Sequence, residues 1–331
     1  MVKIRFAITP PGDIYSSNNL TLMTQLGCSD VIGYGPRGEW CSNADTEIWM
    51  HQDLSRIKHQ VESFGLRLEV LEDGPLINKM MLGLPDRDEQ AEHFCKSLEN
   101  LARAGIRVIK PQHMPPNWNQ IMTTQYKPTR GGAISRVFDY RQVDKQVLSG
   151  HRIIREEEMW ANLTYFLKRV LPTAEQVGVR IALHPDDPPI SPIQGFARIL
   201  RSIQAFDRML NLVPSDNIGL LFCQGCFAEM GVDIPAAIRH FGKQNKIFFA
   251  HFRNVQGAVP LFQETFHDDS SQQTNMFQAM LAYYDSGFKG PMRPDHAPRM
   301  QGDEHHDGAL LGKILGLGYM KGLAESIENM S

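Results

Sequence analysis

The chain has 331 residues, of which 42% are hydrophobic and 21% charged, the composition of an ordinary globular protein. Its 34 Lys and Arg against 37 Asp and Glu give a net charge of −3, which offers no support for electrostatic binding to nucleic acid or an anionic membrane. These values exclude a disordered chain and a disulfide-stapled miniprotein, and the length fits either two domains or one α/β barrel with insertions.

The amino-terminal residues predict a strand and not a secretion signal, because 3–9 is too short and too charged for an apolar secretion core. No stretch approaches the roughly 20 apolar residues of a membrane span, so we expect a cytoplasmic protein without disulfides among its five cysteines. Cys223 and Cys226 form a C-x-x-C pair, which is typical of a redox motif or of half a zinc site.

Short apolar, β-branched runs recur between turn residues and predict eight strands, in chain order 3–9, 30–34, 67–71, 107–110, 179–184, 218–223, 246–253 and 291–295. Amphipathic helices are predicted between them, for example at 46–64, 87–104, 156–176, 195–206, 234–241 and 274–286. Several helices run into a glycine suited to a left-handed cap, namely Gly65, Gly105, Gly178 and Gly287. The repeated alternation favours a (β/α)8 TIM barrel spanning 1–331 as a single domain, with a doubly wound open sheet as the alternative.

One segment breaks the repeat. Residues 111–150, between the fourth and fifth predicted strands, are long, polar and rich in turn residues. Because the segment follows the carboxyl end of a strand, we expect an insertion over the barrel mouth that acts as a lid or as an oligomer contact. We expect a homo-oligomer, a dimer or higher.

Metal-binding residue types occur at the ends of the last four predicted strands. His184 closes the fifth strand, Cys223 the sixth and Asp295 the eighth, and His251 lies in the seventh. The carboxyl ends of barrel strands converge on one mouth, so these side chains form a plausible set for a divalent metal. Taken singly, each has an ordinary interpretation, a hydrogen-bonded histidine or a small buried cysteine.

Two arginines accompany this set. Arg253 and Arg293 stand beside proposed ligands, where a guanidinium can hold a substrate carboxylate with two hydrogen bonds. The alternative is an ion pair with an acid at the rim, such as Asp186 or Asp187.

Several stretches together resemble the metal-dependent mannonate dehydratases of the xylose-isomerase-like barrel group. The resemblance lies in 66–70, 82–88, 100–106, 184–189 (HPDDPP), 251–255 (HFRNV), 290–296 (GPMRPDH) and 318–323. It implies dehydration of a six-carbon aldonic acid to a 2-keto-3-deoxy acid. It also implies a metal, typically Mn²⁺, held by His184, Cys223, His251 and Asp295. Fe²⁺, Co²⁺ or Zn²⁺ stay open, since a thiolate among nitrogen and oxygen ligands does not select one ion.

The chemistry also needs an acid, a base and substrate contacts. The candidate catalytic residues are Arg293, His296, His305 and His306. The candidate substrate-binding residues are Arg253, Asn254, Asp186 and Trp118. His296 has an alternative role, a hydrogen bond that orients a metal ligand.

Three departures from the family pattern affect the interpretation. An Asp-Trp pair of the family is here Asn117-Trp118, and a Cys-x-Gly-Ser stretch is Cys223-Gln-Gly-Cys226, which makes the C-x-x-C a product of substitution and not a redox motif. The tyrosines of the family's carboxyl-terminal loop are absent from 305–312. His305 or His306 is a candidate replacement as proton donor, and two solvated loop histidines are the alternative.

The residues and the resemblance together predict a metal-dependent hydro-lyase acting on a small anionic sugar, converting D-mannonate or a related aldonate to 2-keto-3-deoxy-D-gluconate or its equivalent. A metal-dependent sugar isomerase or epimerase is the alternative, because stabilisation of an enediolate serves both reactions. A catalytically impaired homologue is a third possibility, against which the retention of all four ligand types argues.

Overall fold

The centre of the molecule is a sheet of eight parallel strands, seen in a computed structural model that describes residues 3–43, 47–112, 121–144, 153–269, 274–303 and 309–330. Within these residues the strands are β1 (Arg5–Phe6), β2 (Asp30–Tyr34), β3 (Arg67–Glu72), β4 (Val108–Ile109), β5 (Gln125–Pro128), β6 (Ile134–Asp139), β7 (Arg180–Leu183), β8 (Ile218–Cys223), β9 (Ile247–His251), β10 (Val255–Ala258), β11 (Leu261–Glu264) and β12 (Pro291–Arg293). The parallel sheet has the order β1-β12-β9-β8-β7-β4-β3-β2.

Helices alternate with the parallel strands. They are α1 (Ser17–Gln25), α2 (His51–Ser63), α3 (Asn78–Met81), α4 (Arg87–Arg103), α5 (Glu156–Val177), α6 (Ile203–Leu212), α7 (Gln224–Glu229), α8 (Ile234–Gly242), α9 (Met276–Asp285) and α10 (Leu310–Asn329). The backbone N–H of Ser29, just before β2, donates to the carbonyl of Phe6 in β1 at 3.0 Å, which joins the two outer strands of the sheet. The TIM-barrel prediction is therefore confirmed.

The core has an inner and an outer part. Buried aliphatic and aromatic side chains fill the barrel interior, namely Ala7, Ile32, Val70, Val108, Ala182, Leu221, Phe248 and Phe249. A larger cluster joins the outer faces of the strands to the helices. Alternation of side chains along the strands produces most of this division, because successive residues face opposite sides of the sheet. Phe248 and Phe249 are consecutive, and both belong to the inner cluster at a point where the register between β8 and β9 shifts.

Most predicted elements occur close to their predicted bounds, and the four predicted cap glycines have φ between 68° and 76°. The helix predicted at 195–206 is wrong in position: α6 begins at Ile203, where the Ser202 side chain accepts from the backbone N–H of Ala205 at 3.1 Å. The preceding residues lie against the start of α5, since Ile154 N donates to Gly195 O at 2.8 Å and Ala197 N donates to Ile154 O at 3.0 Å. These tertiary hydrogen bonds outweigh the helical pattern of the segment.

A second, four-stranded antiparallel sheet has the order β10-β11-β6-β5. Two of its strands lie within 111–150, and their partners follow β9 at the carboxyl end of the barrel. Residue Ile134 also exchanges backbone hydrogen bonds of 2.8 and 2.9 Å with Arg299, in the loop after β12. The insertion is thus attached to two loops of the barrel mouth, and its role as a lid or oligomer contact stays a prediction.

Two further features of the sequence can be compared with the structure, the glycine-rich stretch after β2 and the hydrophobicity of the helices. Gly33, Gly35 and Gly38 have the G-x-G-x-x-G spacing that a doubly wound nucleotide fold uses. Here β2 belongs to the barrel, and these glycines lead into a 3-10 turn at Gly38–Trp40 and not directly into a long helix. Within the described ranges no helix is long and apolar enough to cross a membrane.

Candidate metal centre at the barrel mouth

The four predicted metal ligands are brought to one end of the barrel by four neighbouring strands. Cys223 and His251 are the last residues of β8 and β9, and His184 directly follows β7. Asp295 lies two residues beyond β12, because Pro294 has no backbone N–H to continue the sheet and Asp295 has a left-handed backbone with φ 66°. This turn directs the chain across the mouth.

Three of these residues place donor atoms around one point. The ligand atoms of Cys223, His251 and Asp295 all lie within 4.8 Å of one another, with Sγ of Cys223 4.0 Å and Nδ1 of His251 3.4 Å from Oδ2 of Asp295. All three side chains are buried. A second group shares Cys223 and consists of His184, Cys223 and Cys226, whose ligand atoms again lie within 4.8 Å of one another.

The arrangement fits a divalent metal. Metal–ligand bonds of ~2.0–2.3 Å in a tetrahedral site separate the ligand atoms by roughly 3.3–3.8 Å, close to the observed distances. The buried Nδ1 of His251 has no hydrogen-bond partner in the described part of the chain, as expected of an atom reserved for another bond. Nδ1 of His184 lies 2.6 Å from the carbonyl of Pro185, an arrangement that leaves its Nε2 as the ligand atom.

The electrostatics of the cluster favour the charge states of metal ligands. Burial raises the pKa of the Cys223 thiol, but the neighbouring Cys226 thiol and the imidazoles of His184 and His251 bring the pKa well below its ordinary value. Burial likewise raises the pKa of Asp295, and the positive groups around it, His251 first, outweigh burial so that this pKa is also well below the ordinary value. These shifts favour the negatively charged forms of Cys223 and Asp295, the forms that bind a cation.

Glu72, at the end of β3, and Arg293 support His251. Nε2 of His251 lies 3.3 Å from Oε2 of Glu72 and 2.9 Å from Nε of Arg293, which donates to it, so both side chains fix the orientation of the imidazole. Arg293 lies 2.9 Å from the same carboxylate, donates to Thr9 Oγ1 at 2.6 Å and donates to Asp295 Oδ1 at 3.1 Å. Arg293 is thus an organiser of the acidic side chains at the mouth, and its proposed catalytic role stays a prediction.

His296 is the histidine next to the cluster. Its Nδ1 lies 2.6 Å from Glu264 Oε1 in β11, and its Nε2 lies 4.0 Å from Asp295 Oδ1. The ring is 27% exposed, whereas Glu264 is buried. The ring is therefore partly exposed to solvent beside the metal-ligand candidate Asp295.

Arg253 lies at the centre of a buried acidic group. Its guanidinium is 2.8 Å from Asp187, 2.9 Å from Glu229 and 3.0 Å from Glu264, and the side chain is only 2% exposed. The sequence allowed two roles for this arginine, binding of a substrate carboxylate or an ion pair with an acid at the rim. The structure shows an ion pair with Asp187. Burial, followed by the charge of Asp187, raises the pKa of Glu229 well above its ordinary value, and Arg253 opposes that shift.

The remaining substrate-binding candidates have contacts within the protein. Asp186 accepts from the backbone N–H of Leu200 at 2.7 Å and pairs with Arg198 at 2.9 Å. Asn254 is fully buried and donates to the carbonyl of Phe266 at 3.0 Å. Trp118, His305 and His306 lie outside the described residues. Direct substrate contact stays a prediction for Asp186, Asn254 and Trp118, and a catalytic role stays a prediction for His305 and His306.

Several residues at the site were not predicted. Glu72 could have been found, since it ends a strand as the predicted ligands do. Glu264 ends β11, a strand of the antiparallel sheet that the sequence did not predict. Lys313 of α10 donates from Nζ to the carbonyl of Thr9, just after β1, at 3.1 Å. Burial and the nearby charge of Arg293 lower the pKa of Lys313 to about 8.

Fold and site together define a TIM-barrel protein with its reactive groups at the carboxyl ends of the strands, where barrel enzymes carry them. The D-mannonate dehydratase (UxuA) family model matches residues 15–150 and 145–331. The mannonate dehydratase of Thermotoga maritima is 34% identical over 318 residues, covering 86% of this chain and 88% of that protein.

Comparison with solved structures points to the same family as the sequence comparisons. The mannonate dehydratase of Streptococcus suis serotype 2 superposes with a TM-score of 0.83 and 29% identity, covering 98% of this chain and 95% of the other. A D-tagatose 3-epimerase-like protein has a TM-score of 0.59 and 12% identity over 95% of each chain, so it shares the fold alone. This chain belongs to the D-mannonate dehydratase family and is, by that membership, a lyase.

Proposed function

We propose that this protein removes water from D-mannonate or a closely related aldonate, forming 2-keto-3-deoxy-D-gluconate or the corresponding acid. We also propose that Mn²⁺ is held by His184, Cys223, His251 and Asp295, and that Fe²⁺, Co²⁺ or Zn²⁺ can take its place. The observation that carries the proposal is the convergence of Cys223, His251 and Asp295 within 4.8 Å at the mouth of a barrel of this family.

The reaction breaks a C–H bond next to the substrate carboxylate and a C–O bond at the neighbouring carbon. A bound divalent cation supplies positive charge against the negative charge that develops as the proton leaves. In the proposal Nε2 of His296 accepts that proton, because Nδ1 is engaged by Glu264 and Nε2 faces the ligand cluster. The hydroxyl group leaves with a proton as water, and the resulting enol becomes the 2-keto acid.

Other residues have proposed supporting roles. His305 or His306 donates the proton to the departing hydroxyl group. Arg293 keeps Glu72 and Asp295 ionised and in place, which its contacts of 2.9 and 3.1 Å support. Arg253, Asn254, Asp186 and Trp118 shape the substrate pocket, the first three by holding loops at the mouth through their contacts within the protein.

The test is turnover of D-mannonate by protein stripped with a chelator and reloaded with Mn²⁺. We expect activity only after reloading, and a product lighter by one water. An isomer of unchanged mass would replace the proposal with the epimerase alternative, and a metal-loaded protein without turnover on any aldonate would favour an impaired homologue. The sequence identity is 34% to a mannonate dehydratase and 12% to an epimerase-like protein, which supports loss of water as the outcome. Homo-oligomerisation and a cytoplasmic location stay predictions.

A further inference from the structure

A second thiol lies beside the proposed metal centre. Sγ of Cys226, in the first turn of α7, is 3.3 Å from Sγ of Cys223 at the end of β8, and neither residue is exposed. Their ligand atoms and that of His184 all lie within 4.8 Å of one another. The function proposed above uses only one of these two sulfur atoms.

We propose that Cys226 is a second thiolate ligand, so that His184, Cys223 and Cys226 hold a thiophilic dication of the Zn²⁺ or Co²⁺ type. The inference rests on the metal site of the proposed function and concerns its selectivity. Thiolates select zinc and other softer ions, whereas carboxylate and water ligands suit Mn²⁺. A site with two sulfur ligands therefore binds Zn²⁺ and Co²⁺ with a larger advantage over Mn²⁺ than a site with one.

The distance between the sulfur atoms suits this role. Two thiolates on one tetrahedral ion with metal–sulfur bonds of ~2.3 Å lie roughly 3.8 Å apart. The observed 3.3 Å differs from this separation by about half an ångström, which a small rotation of either side chain supplies. Oδ2 of Asp295, 4.0 Å from Sγ of Cys223, is close enough to provide a further ligand atom.

A buried cation lies beside Cys226. Nη1 of Arg253 lies 3.8 Å from its Sγ. Gly225 makes this approach possible, because a Cβ at that position would lie 2.5 Å from Cδ of Arg253. In the protein without metal the Cys226 thiol donates its proton toward Cys223. A dication binding both sulfur atoms releases that proton to solvent, since coordinated thiols are deprotonated.

The competing role for Cys226 is that of a protonated hydrogen-bond donor that only adjusts Cys223. The two roles differ in the number of metal–sulfur bonds. Protein is stripped of metal, kept anaerobic and reduced, and loaded with Co²⁺, whose sulfur-to-metal charge-transfer absorption scales with that number. Wild type is compared with Cys226→Ser and with Cys95→Ser as matched control, because Cys95 is on the outer helix α4.

We expect the charge-transfer absorption of Cys226→Ser to be about half that of wild type, and Cys95→Ser to be unchanged. Competition between Zn²⁺ and Mn²⁺, read by elemental analysis, should show the preference for Zn²⁺ falling about tenfold or more in Cys226→Ser, the scale on which even outer partners of metal ligands act. X-ray absorption of zinc-loaded wild type should show two sulfur neighbours, which tests the proposal without any variant.

One sulfur neighbour in wild type, or equal absorption in Cys226→Ser and wild type, overturns the proposal. None of these measurements uses turnover, so the result is separable from the proposed dehydratase reaction. A protein with two metal–sulfur bonds and no activity contradicts only the reaction. A protein with one such bond and Mn²⁺-dependent activity contradicts only the role of Cys226.

Discussion

His296 and Glu264 form a histidine–carboxylate pair in which Nδ1 of the ring lies 2.6 Å from Oε1 of the acid. The acid comes from the small antiparallel sheet and the histidine from the loop after β12, so the pair connects the insertion to the barrel. The carboxylate fixes the ring with Nε2 toward Asp295, 4.0 Å away. A base held in this way has one free nitrogen directed at the place where the substrate is proposed to bind.

The first prediction concerns this base. His296→Asn should lower kcat on D-mannonate by about 10²–10⁴-fold, the usual contribution of general acid–base catalysis, while metal content stays that of wild type. Steady-state kinetics and elemental analysis of the same samples check it. The control is His240→Asn, since His240 forms a similar 2.7 Å contact with Asp207 on the exposed surface. Loss of metal together with activity would assign His296 to the metal site instead of to proton transfer.

The second prediction concerns pH. Burial raises the pKa of Glu264, but the positive charges of His296 and Arg253 lower it by more than burial raises it. The pKa therefore falls from 4.5 to about 2. A carboxyl group with a lowered pKa in the folded state stabilises the fold above 4.5 and loses that contribution as the pH falls toward 2. The difference in unfolding free energy between wild type and Glu264→Gln should therefore shrink by about 2 kcal/mol between pH 5 and pH 3.

Urea denaturation at both pH values measures this difference. Glu62→Gln serves as control, because Glu62 is half exposed and pairs with Lys58 on the surface of α2. A difference that stays constant between pH 5 and pH 3 would show that Glu264 has an ordinary pKa in the folded protein.

The barrel and much of its site could be predicted from the sequence because both depend on local patterns. Each buried parallel strand is an apolar run, and ligand-type residues at the ends of consecutive strands must meet at one mouth. His184, Cys223, His251 and Asp295 were found in this way. Glu72 was missed only because the third strand was predicted to end at residue 71, one residue before it.

The four-stranded sheet could not be predicted in the same way. β6 pairs with β11, which lies more than a hundred residues later, and β5 presents polar residues without alternation, as in Tyr126, Lys127 and Pro128. Such pairing depends on long-range contacts that no local window contains. Glu264 was missed for this reason, and with it the partner of both His296 and Arg253.

The third prediction concerns Arg253. Arg253→Met removes the cation that Asp187, Glu229 and Glu264 share, leaving buried carboxylates without compensation, and should destabilise the protein by about 3–5 kcal/mol. Arg239→Met is the control, since the pair of Arg239 with Asp285 on the surface should contribute less than about 1 kcal/mol. Urea denaturation compares the two. Equal midpoints would show that the buried acids are neutral without the arginine.

The fourth prediction concerns Lys313, whose Nζ donates one hydrogen bond to Thr9 and finds no second acceptor among the described residues. Its ammonium lies beside Thr9, which follows β1, and near the charges of Arg293 and Asp295, a position that suits it to bind the substrate carboxylate. Lys313→Met should raise KM for D-mannonate about tenfold with a smaller effect on kcat, because a contact made equally in the ground and transition states changes mainly binding.

A dependence on pH sharpens this test of Lys313. Burial lowers its pKa to about 8, so the ammonium loses its proton above that pH and KM of wild type should rise there, whereas KM of Lys313→Met should stay flat through pH 8. Lys321→Met is the matched control, because Lys321 lies on the same helix and donates to the carbonyl of Leu26 at 3.0 Å, at the opposite end of the barrel. A KM that rises equally above pH 8 in wild type and Lys313→Met would assign the titration to another group and remove Lys313 from the substrate site.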